Sequence, residues 1–352
     1  MKAIVFHGRQ DLRYEDFAEP PLAANEVMVK VKYAGMCHTD FNEVANGPIF
    51  VSATPHARTG RSIPLVLGHE FAGQVVDKGR KATNLNVGDR VAINAVDGCG
   101  DCYYCRKGEP ALCPSAAYVG FGRDGGFAEY VAVKAECCHV LRPEVSYRSG
   151  VLVEPLSVAV HAAHRARLEI GASVAVVGGG TLGLSVLQVA RASGAREVFV
   201  IERSESKRKF CEDLGGHFFN SSTDSSFRGE ILDRTQGRGV DLAFECAGAA
   251  AALQTAVDVT TGGGVICATG IYPGPFSFDF NKVLGGEKSI VTSLAYGTEF
   301  PTTITMLADG RLRAEPLITN CVPLAEGCAH IQEFESRGAE SIKTLLEIDS
   351  QN

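Results

Sequence analysis

The chain of 352 residues lacks the features that mark several broad classes of protein. Lysine and arginine form no basic run and the formal net charge is -7, so no nucleic-acid or anionic-lipid surface is expected. No continuous apolar stretch approaches the ~20 residues that a membrane-spanning helix needs. Residues 1–17 carry charges where a signal sequence would be apolar. The sequence therefore predicts a cytoplasmic protein without a nucleic-acid or membrane partner.

The length and composition indicate a folded chain with two domains, because single hydrophobic cores stop growing near ~250 residues. Residues 1–150 contain short alternating or β-branched runs, which are typical of an antiparallel, partly barrel-like domain. Residues 151–290 alternate short apolar strands with amphipathic helices, which predicts a doubly wound parallel sheet. Residues 291–352 contain a candidate helix and a final strand, KTLLEI, and are expected to complete the first domain. The predicted class is α/β.

A glycine fingerprint lies in the second region. Gly178, Gly180 and Gly183 form G-x-G-x-x-G after an apolar strand and at the start of an amphipathic helix. Such glycines allow a tight turn, backbone approach to a pyrophosphate and close helix-strand packing, and the helix N-terminus offers free NH groups. The residues predicted to bind a dinucleotide are Gly178, Gly180, Thr181, Leu182, Gly183, Glu202 and Arg203.

The choice of dinucleotide depends on the end of the next strand, EVFVIE. Glu202 stands where an acidic residue binds the adenosine ribose hydroxyls, and it would repel a 2′-phosphate. Arg203 would attract that phosphate, and Lys207 and Arg208 follow. We predict NAD, and NADP stays open as the alternative.

Four of the twelve cysteines have the spacing of a metal site. Cys99, Cys102, Cys105 and Cys113 form C-x2-C-x2-C-x7-C. Four thiolates on one short segment can surround an ion tetrahedrally and leave no open position for substrate. The spacing therefore predicts structural zinc; an iron-sulfur cluster is the alternative, because it uses the same ligands.

A second metal site is indicated upstream. AGMCHTD contains Cys37, and VLGHEFAGQVVDKG contains His69 and Glu70. Cysteine and histidine suit zinc, although each residue alone is more often part of the core or the surface. A metal with an open position beside a dinucleotide can make an alcohol acidic.

With these motifs in order, the chain resembles the zinc-containing medium-chain dehydrogenase/reductase family, and its butanediol and sorbitol (polyol) dehydrogenases in particular. The resemblance implies an N-terminal GroES-like β-barrel catalytic domain, a Rossmann domain, and two zinc ions per chain. The segments that carry it are Cys37–Asp40, Gly68–Glu70 with Gly73 and Gly79, Val87–Val91, Cys99–Cys113, Glu154–Leu156 and Gly178–Gly183.

The resemblance also implies roles for single residues. Cys37 and His69 would bind the catalytic zinc, and Asp40 would hydrogen-bond the histidine. Glu70 would either bind the metal or contact a residue that binds it. Glu154 stands where liver-type alcohol dehydrogenases have cysteine, and in polyol dehydrogenases this glutamate contacts zinc directly or through water.

Proton transfer is assigned in the same way. Thr39 matches the hydroxyl that contacts the substrate oxygen and begins a proton relay, while hydride passes to the nicotinamide. His38 would contact the cofactor pyrophosphate or relay protons, or simply face solvent. His56, in the Gly- and Pro-rich loop before His69, is a relay candidate for which a surface role is favoured.

The predicted function is reversible oxidation of a secondary alcohol, vicinal diol or polyol to the ketone. A threonine or amino-alcohol dehydrogenase and a sugar-acid or cyclitol dehydrogenase are alternatives within the family. A nucleotide-binding relative without activity is disfavoured, because Cys37, Thr39, His69 and Glu154 are all present. We expect a homodimer or homotetramer that binds a small alcohol.

Overall fold

The computed structural model describes residues 1–333 and 341–349. The chain forms two compact units. Unit 1 consists of Met1–Glu154, Tyr296–Gly310 and Ala314–Asn352, and unit 2 consists of Pro155–Ala295 and Arg311–Arg313. Among the described residues, no helix is both long enough and apolar enough to cross a membrane.

Strands and helices follow the predicted pattern closely. The strands are β1 (Lys2–Gly8), β2 (Asp11–Asp16), β3 (Glu26–Gly35), β4 (Leu65–Val66), β5 (Glu70–Lys78), β6 (Arg90–Ile93), β7 (Val96–Asp97), β8 (Ala117–Tyr118), β9 (Tyr130–Lys134), β10 (Cys138–Val140), β11 (Ser173–Val177), β12 (Glu197–Glu202), β13 (His217–Asn220), β14 (Val240–Glu245), β15 (Thr260–Ala268), β16 (Ser289–Thr292), β17 (Ile318–Pro323) and β18 (Lys343–Glu347). The helices are α1 (His38–Asn46), α2 (Tyr103–Arg106), α3 (Tyr147–Val151), α4 (Val153–Arg165), α5 (Thr181–Ala192), α6 (Arg208–Asp213), α7 (Phe227–Arg234), α8 (Ala250–Val259), α9 (Asn281–Leu284), α10 (Phe300–Ala308) and α11 (Gly327–Gln332).

Unit 1 is built mainly from antiparallel strands, as its alternating sequence predicts. A seven-stranded sheet has the order β10-β6-β5-β3-β18-β17, and β9 also pairs with β3; a second sheet has the order β2-β1-β4. The last strand, β18, pairs with β3 so that Leu345 lies opposite Gly35. This register brings the C-terminal segment next to the turn that follows β3. Phe6, Phe71 and Phe127 are fully buried in the core of this unit.

Unit 2 contains six parallel strands in the order β13-β12-β11-β14-β15-β16. In chain order this is 3-2-1-4-5-6, the arrangement of dinucleotide-binding sheets. Every residue of Ser173–Val177 is buried, because helices cover both faces of such a sheet. The predicted doubly wound sheet is confirmed.

Candidate metal and cofactor sites

Two neighbouring strands of unit 1 bring Cys37, His69 and Glu70 together. Cys37 precedes the first residue of α1, just after β3, and His69 immediately precedes β5. Gly35 lies opposite Glu70 in the β3–β5 ladder. A Cβ at Gly35 would lie 2.4 Å from Glu70 Oε2, so glycine is needed there. One donor atom of each of the three residues lies within 4.8 Å of the other two.

Asp40 holds this group from the first turn of α1. It is fully buried, and its Oδ2 accepts a hydrogen bond from the Cys37 N–H at 2.9 Å. Its Oδ1 lies 3.4 Å from His69 Nδ1, but neither atom has a hydrogen-bond partner in the part of the chain that the structure describes. Burial lowers the pKa of His69, while Asp40 and Cys37 raise it by more, so the pKa lies well above its ordinary value. Asp40 therefore orients His69, and the thiol, imidazole and carboxylate of Cys37, His69 and Glu70 form a donor set that fits a bound zinc ion.

Glu70 forms a buried ion pair that the sequence did not reveal. Lys343, from β18, places its Nζ 2.8 Å from Glu70 Oε1 and 2.6 Å from Oε2. The same ammonium donates to the Met36 carbonyl at 2.9 Å. Burial lowers the pKa of Lys343, but Glu70 and other nearby groups raise it overall. Lys343 therefore stays charged and balances the carboxylate beside Cys37.

Glu154 lies near this group but is not among the residues whose donor atoms lie within 4.8 Å of one another. Burial raises the pKa of Glu154 to about 7, and repulsion from Glu70 adds to the increase. Tyr296, which is 1% exposed, hydrogen-bonds Glu154 and accepts the Ala95 N–H at 3.1 Å. The tyrosine thus fixes the Glu154 carboxylate within unit 1.

The three proton-transfer candidates occupy different environments. Thr39 Oγ1 lies 3.6 Å from Cys37 Sγ, so this hydroxyl lies beside the predicted metal ligands. His38 is exposed, at the start of α1. His56 Nε2 lies 3.2 Å from the Ala116 carbonyl, which identifies it as a loop anchor rather than a member of the metal group.

The four predicted structural ligands also converge. One sulfur from each of Cys99, Cys102, Cys105 and Cys113 lies within 4.8 Å of the others. Cys99 Sγ and Cys105 Sγ are 3.9 Å apart, close to the ~3.8 Å edge of a tetrahedron with zinc–sulfur bonds of about 2.3 Å. Backbone hydrogen bonds lower the pKa of Cys99, which favours the thiolate that metals bind. The donor set fits a tetrahedral ion.

The glycine fingerprint of unit 2 has the geometry that its sequence predicts. Gly178 has φ +105°, which permits the sharp turn after β11. A Cβ at Gly183 would lie 1.8 Å from the Gly178 carbonyl oxygen, so α5 can pack there only with glycine. A Cβ at Gly180 would meet no atom within 4 Å, which leaves that side of the backbone open for a ligand. Thr181 and Leu182 form the first turn of α5.

Glu202 is oriented towards this glycine turn. Its Oε2 accepts the Gly179 N–H at 2.7 Å, and its Oε1 accepts the N–H groups of Arg203 at 2.7 Å and Ser204 at 3.0 Å. Burial raises the pKa of Glu202, but Lys207 and these amides lower it by more. An ionised carboxylate at this place fits the ribose hydroxyls of a dinucleotide.

Sequence reasoning missed two residues near the metal group, Lys343 and Tyr296. A lysine at the first position of the predicted final strand, KTLLEI, was the available signal for Lys343. Tyr296 follows β16 in SLAYGTEF, where no pattern indicates contact with Glu154.

Comparison with known families matches most of the chain. The model of the alcohol dehydrogenase GroES-like domain matches residues 23–143, and that of the zinc-binding dehydrogenase matches residues 181–309. The (R,R)-butanediol dehydrogenase of Bacillus subtilis is 33% identical, with 92% of this chain and 93% of that protein covered. The sorbitol dehydrogenase of the same organism is 31% identical, with 91% and 89% covered.

Solved structures agree with these matches. The crystal structure of 2R,3R-butanediol dehydrogenase from Bacillus subtilis has a TM-score of 0.92, 31% identity and 99% coverage of both chains. An alcohol dehydrogenase from Escherichia coli CFT073 complexed with NADH has a TM-score of 0.88, 28% identity and the same coverage. A zinc-binding dehydrogenase from Sinorhizobium meliloti bound to NADP has a TM-score of 0.89, 26% identity and the same coverage. The predicted family and fold are confirmed, and the chain belongs to the zinc-type alcohol dehydrogenases, a family of oxidoreductases that act on CH–OH groups.

Proposed function

We propose that the protein catalyses reversible, zinc-dependent oxidation of a secondary alcohol, vicinal diol or polyol to the ketone, with hydride transfer to NAD. The observation that carries this proposal is the group of half-buried Cys37 and buried His69 and Glu70, whose donor atoms lie within 4.8 Å of one another. Similarity to butanediol and sorbitol dehydrogenases supports a diol or polyol as the substrate class.

Cys37, His69 and Glu70 would hold the catalytic ion. His69 Nδ1 faces Asp40, which leaves Nε2 as the metal-binding nitrogen. Lys343 contacts both carboxylate oxygens of Glu70 and so holds this ligand in place. Glu154, held by Tyr296, would accept a hydrogen bond from the substrate hydroxyl or a water in the same pocket.

Proton transfer is assigned to Thr39 and His38. A zinc ion at this site would supply a Lewis acid that lowers the pKa of an alcohol hydroxyl. The Thr39 hydroxyl, beside Cys37, accepts the alcohol proton and donates its own proton outward. His38 directly precedes Thr39 in the chain and is exposed, so it can take up that proton and exchange it with solvent.

The second zinc and the cofactor have separate binding residues. Cys99, Cys102, Cys105 and Cys113 would hold a structural zinc ion in unit 1. In unit 2, Glu202 would accept hydrogen bonds from the ribose hydroxyls and repel a 2′-phosphate, which supports NAD over NADP. Arg203 contributes a backbone amide to Glu202. The dinucleotide pyrophosphate would contact Gly178, Gly180, Thr181, Leu182 and Gly183.

We also propose a cytoplasmic homodimer or homotetramer that forms through β16. Among the described residues, β16 has a strand neighbour only on its β15 side, so its other edge can pair with the same strand of a second copy. The surrounding segment exposes large apolar side chains, namely Ile271, Phe276, Phe280, Leu284 and Leu294. Size-exclusion chromatography with light scattering tests this, and a monomer at micromolar concentration would refute it.

The function is tested by zinc analysis and by NAD-linked oxidation of 2,3-butanediol, sorbitol, threonine and simple secondary alcohols. We expect two zinc ions per chain and NADH formation that stops after chelation. Glu70→Gln should lose the catalytic zinc, whereas Glu154→Gln should keep it and lose turnover. Glu144→Gln, at an exposed position, is the matched control. One zinc ion and no turnover in the unmodified protein would overturn the catalytic assignment.

A further inference from the structure

The loop of residues 47–63 in unit 1 has no regular secondary structure, yet several of its side chains are fixed to one segment of the chain. That segment, residues 115–124, begins just after the four-cysteine group. The side-chain contacts are His56 Nε2 to Ala116 O at 3.2 Å, Arg58 Nε to Ser115 O at 3.0 Å, Thr59 Oγ1 to Gly122 O at 2.6 Å and Arg61 Nη2 to Asp124 Oδ1 at 2.7 Å. Loops held by this many side-chain contacts adopt one position rather than many.

Arg58 differs from the other anchors because it contacts both ends of the four-cysteine segment. Its Nη1 donates to Asp97 Oδ1 at 3.0 Å and its Nη2 donates to the Asp97 carbonyl, just before Cys99. Its Nε donates to the Ser115 carbonyl, just after Cys113. The guanidinium spreads these donors over three nitrogens, so the single Nζ of lysine cannot reproduce all three contacts.

The anchor that Arg58 contacts is itself rigid. Asp97 is 1% exposed, and its carboxylate also lies 2.9 Å from Arg123 Nη1 and 2.7 Å from Lys134 Nζ. Lys134 Nζ donates to the Gly98 carbonyl at 3.2 Å. Because Asp97 keeps two cations when Arg58 is removed, a variant at Arg58 leaves no unpaired buried charge and is expected to fold.

The opposite end of the loop lies beside the catalytic metal group. Glu43 accepts the N–H groups of Ile49 and Phe50, both at 2.8 Å, which fixes this part of the backbone. The Phe50 ring lies 5.5 Å from the Phe121 ring, and the Phe121 ring lies 5.0 Å from the His69 ring. Glu43 at this end of the loop and the side-chain anchors at residues 56–61 therefore decide together where Phe50 stands relative to His69.

We propose that Arg58 is a positioning residue that fixes loop 47–63 to the four-cysteine segment and thereby holds Phe50 next to the alcohol. The inference rests on the proposed function only in placing the alcohol beside His69. Arg58 touches none of the three catalytic ligand candidates, so it acts on substrate affinity and leaves the chemical step unchanged. The apparent affinity for the alcohol is the intrinsic affinity multiplied by the fraction of molecules in which the loop holds its bound position, so loss of Arg58 lowers it.

The test uses the absence of tryptophan from the chain. Phe50→Trp introduces a single tryptophan, which can be excited separately from the nine tyrosines and whose anisotropy reports the mobility of the loop without any need for activity. Arg58→Ala and Arg58→Lys are compared in this background. Arg13→Ala is the matched control, because Arg13 is exposed and its one ion pair with a described residue is with Asp11. Kinetics are measured for the Arg58 and Arg13 variants in the native background.

Arg58→Ala should lower the anisotropy and raise KM for the alcohol about tenfold, the change that corresponds to about 1.4 kcal/mol of lost loop stabilisation. The value of kcat, KM for NAD and the zinc content should stay within about twofold, and Arg58→Lys should fall between the alanine variant and the native enzyme. An unchanged anisotropy, an equal change in Arg13→Ala, or a fall in kcat at constant KM would overturn the proposal. If the native enzyme oxidises no alcohol, the proposed function fails, while the anisotropy still decides whether Arg58 orders the loop.

Discussion

Replacing Lys343 by methionine removes the cation that contacts both carboxylate oxygens of Glu70 while keeping a similar side-chain volume. Lys343 is 3% exposed and Glu70 is 1% exposed. Removing one partner of a pair buried this deeply costs about 3–5 kcal/mol. We therefore expect Lys343→Met to lower the free energy of unfolding by that amount when the catalytic zinc is absent. With zinc bound, the ion compensates Glu70, and about 1–3 kcal/mol remains because the Met36 carbonyl loses its donor.

The assay is urea unfolding of the variant with both zinc ions and after partial chelation to one zinc per chain, with zinc measured in each sample. Lys343→Met combined with Glu70→Gln should recover much of the loss, because no uncompensated charge is then buried. Lys209→Met, at an exposed helix position, should leave the stability unchanged. A variant equally destabilised with and without the catalytic zinc would show that Glu70 does not bind the metal, and an unaffected variant would refute the buried ion pair.

Three further outcomes follow from the site and the fold. Thr39→Val should reduce kcat by roughly 10²–10⁴-fold with unchanged zinc content, whereas Thr39→Ser should retain most activity, as steady-state kinetics and metal analysis would show. Glu202→Ala should raise kcat/KM for NADP relative to NAD by about tenfold, because a carboxylate that repels the 2′-phosphate is lost; an unchanged ratio would contradict the role of Glu202. Burial lowers the pKa of His139 to about 4 from 6.5, so the unfolded chain takes up a proton that the folded chain does not as the pH falls. Up to about 3 kcal/mol of stability should therefore be present above pH 6.5 and lost towards pH 4, and His139→Phe should remove this loss in pH-dependent unfolding.

The parts of the molecule that were predictable are those written in short stretches of sequence. The glycine fingerprint and the four-cysteine segment are each short in sequence, so the spacing of their residues determines which groups can lie close together. The alternation of strands and helices in unit 2 predicted the sheet in the same way, and the structure confirms it. The assignments of single residues to zinc, NAD and proton transfer stay predictions, although the structure brings Cys37, His69 and Glu70 together.

The parts that could not be predicted depend on pairing between distant segments. Lys343 reaches Glu70 across 273 residues, and this contact exists only because β18 pairs with β3 in one register. A shift of that register by one residue would point Lys343 away from Glu70. The contact between Tyr296 and Glu154 likewise joins two segments that are far apart in sequence. Local patterns of hydrophobicity contain no information on either contact.

The metal group and loop 47–63 are held in place in different ways. This difference explains why the sequence predicted the family but not the substrate. The metal group stands where β3 and β5 begin or end, and the close contact at Gly35 leaves it little freedom to move. Loop 47–63, by contrast, is held by side-chain contacts such as that of Arg58 with Asp97. A change of loop residues can therefore alter the shape around the alcohol without disturbing the ligands, as functional loops on a rigid scaffold generally allow. Chemistry common to the family is thus encoded in the strands, and substrate preference is expected to reside in the loop and its anchors.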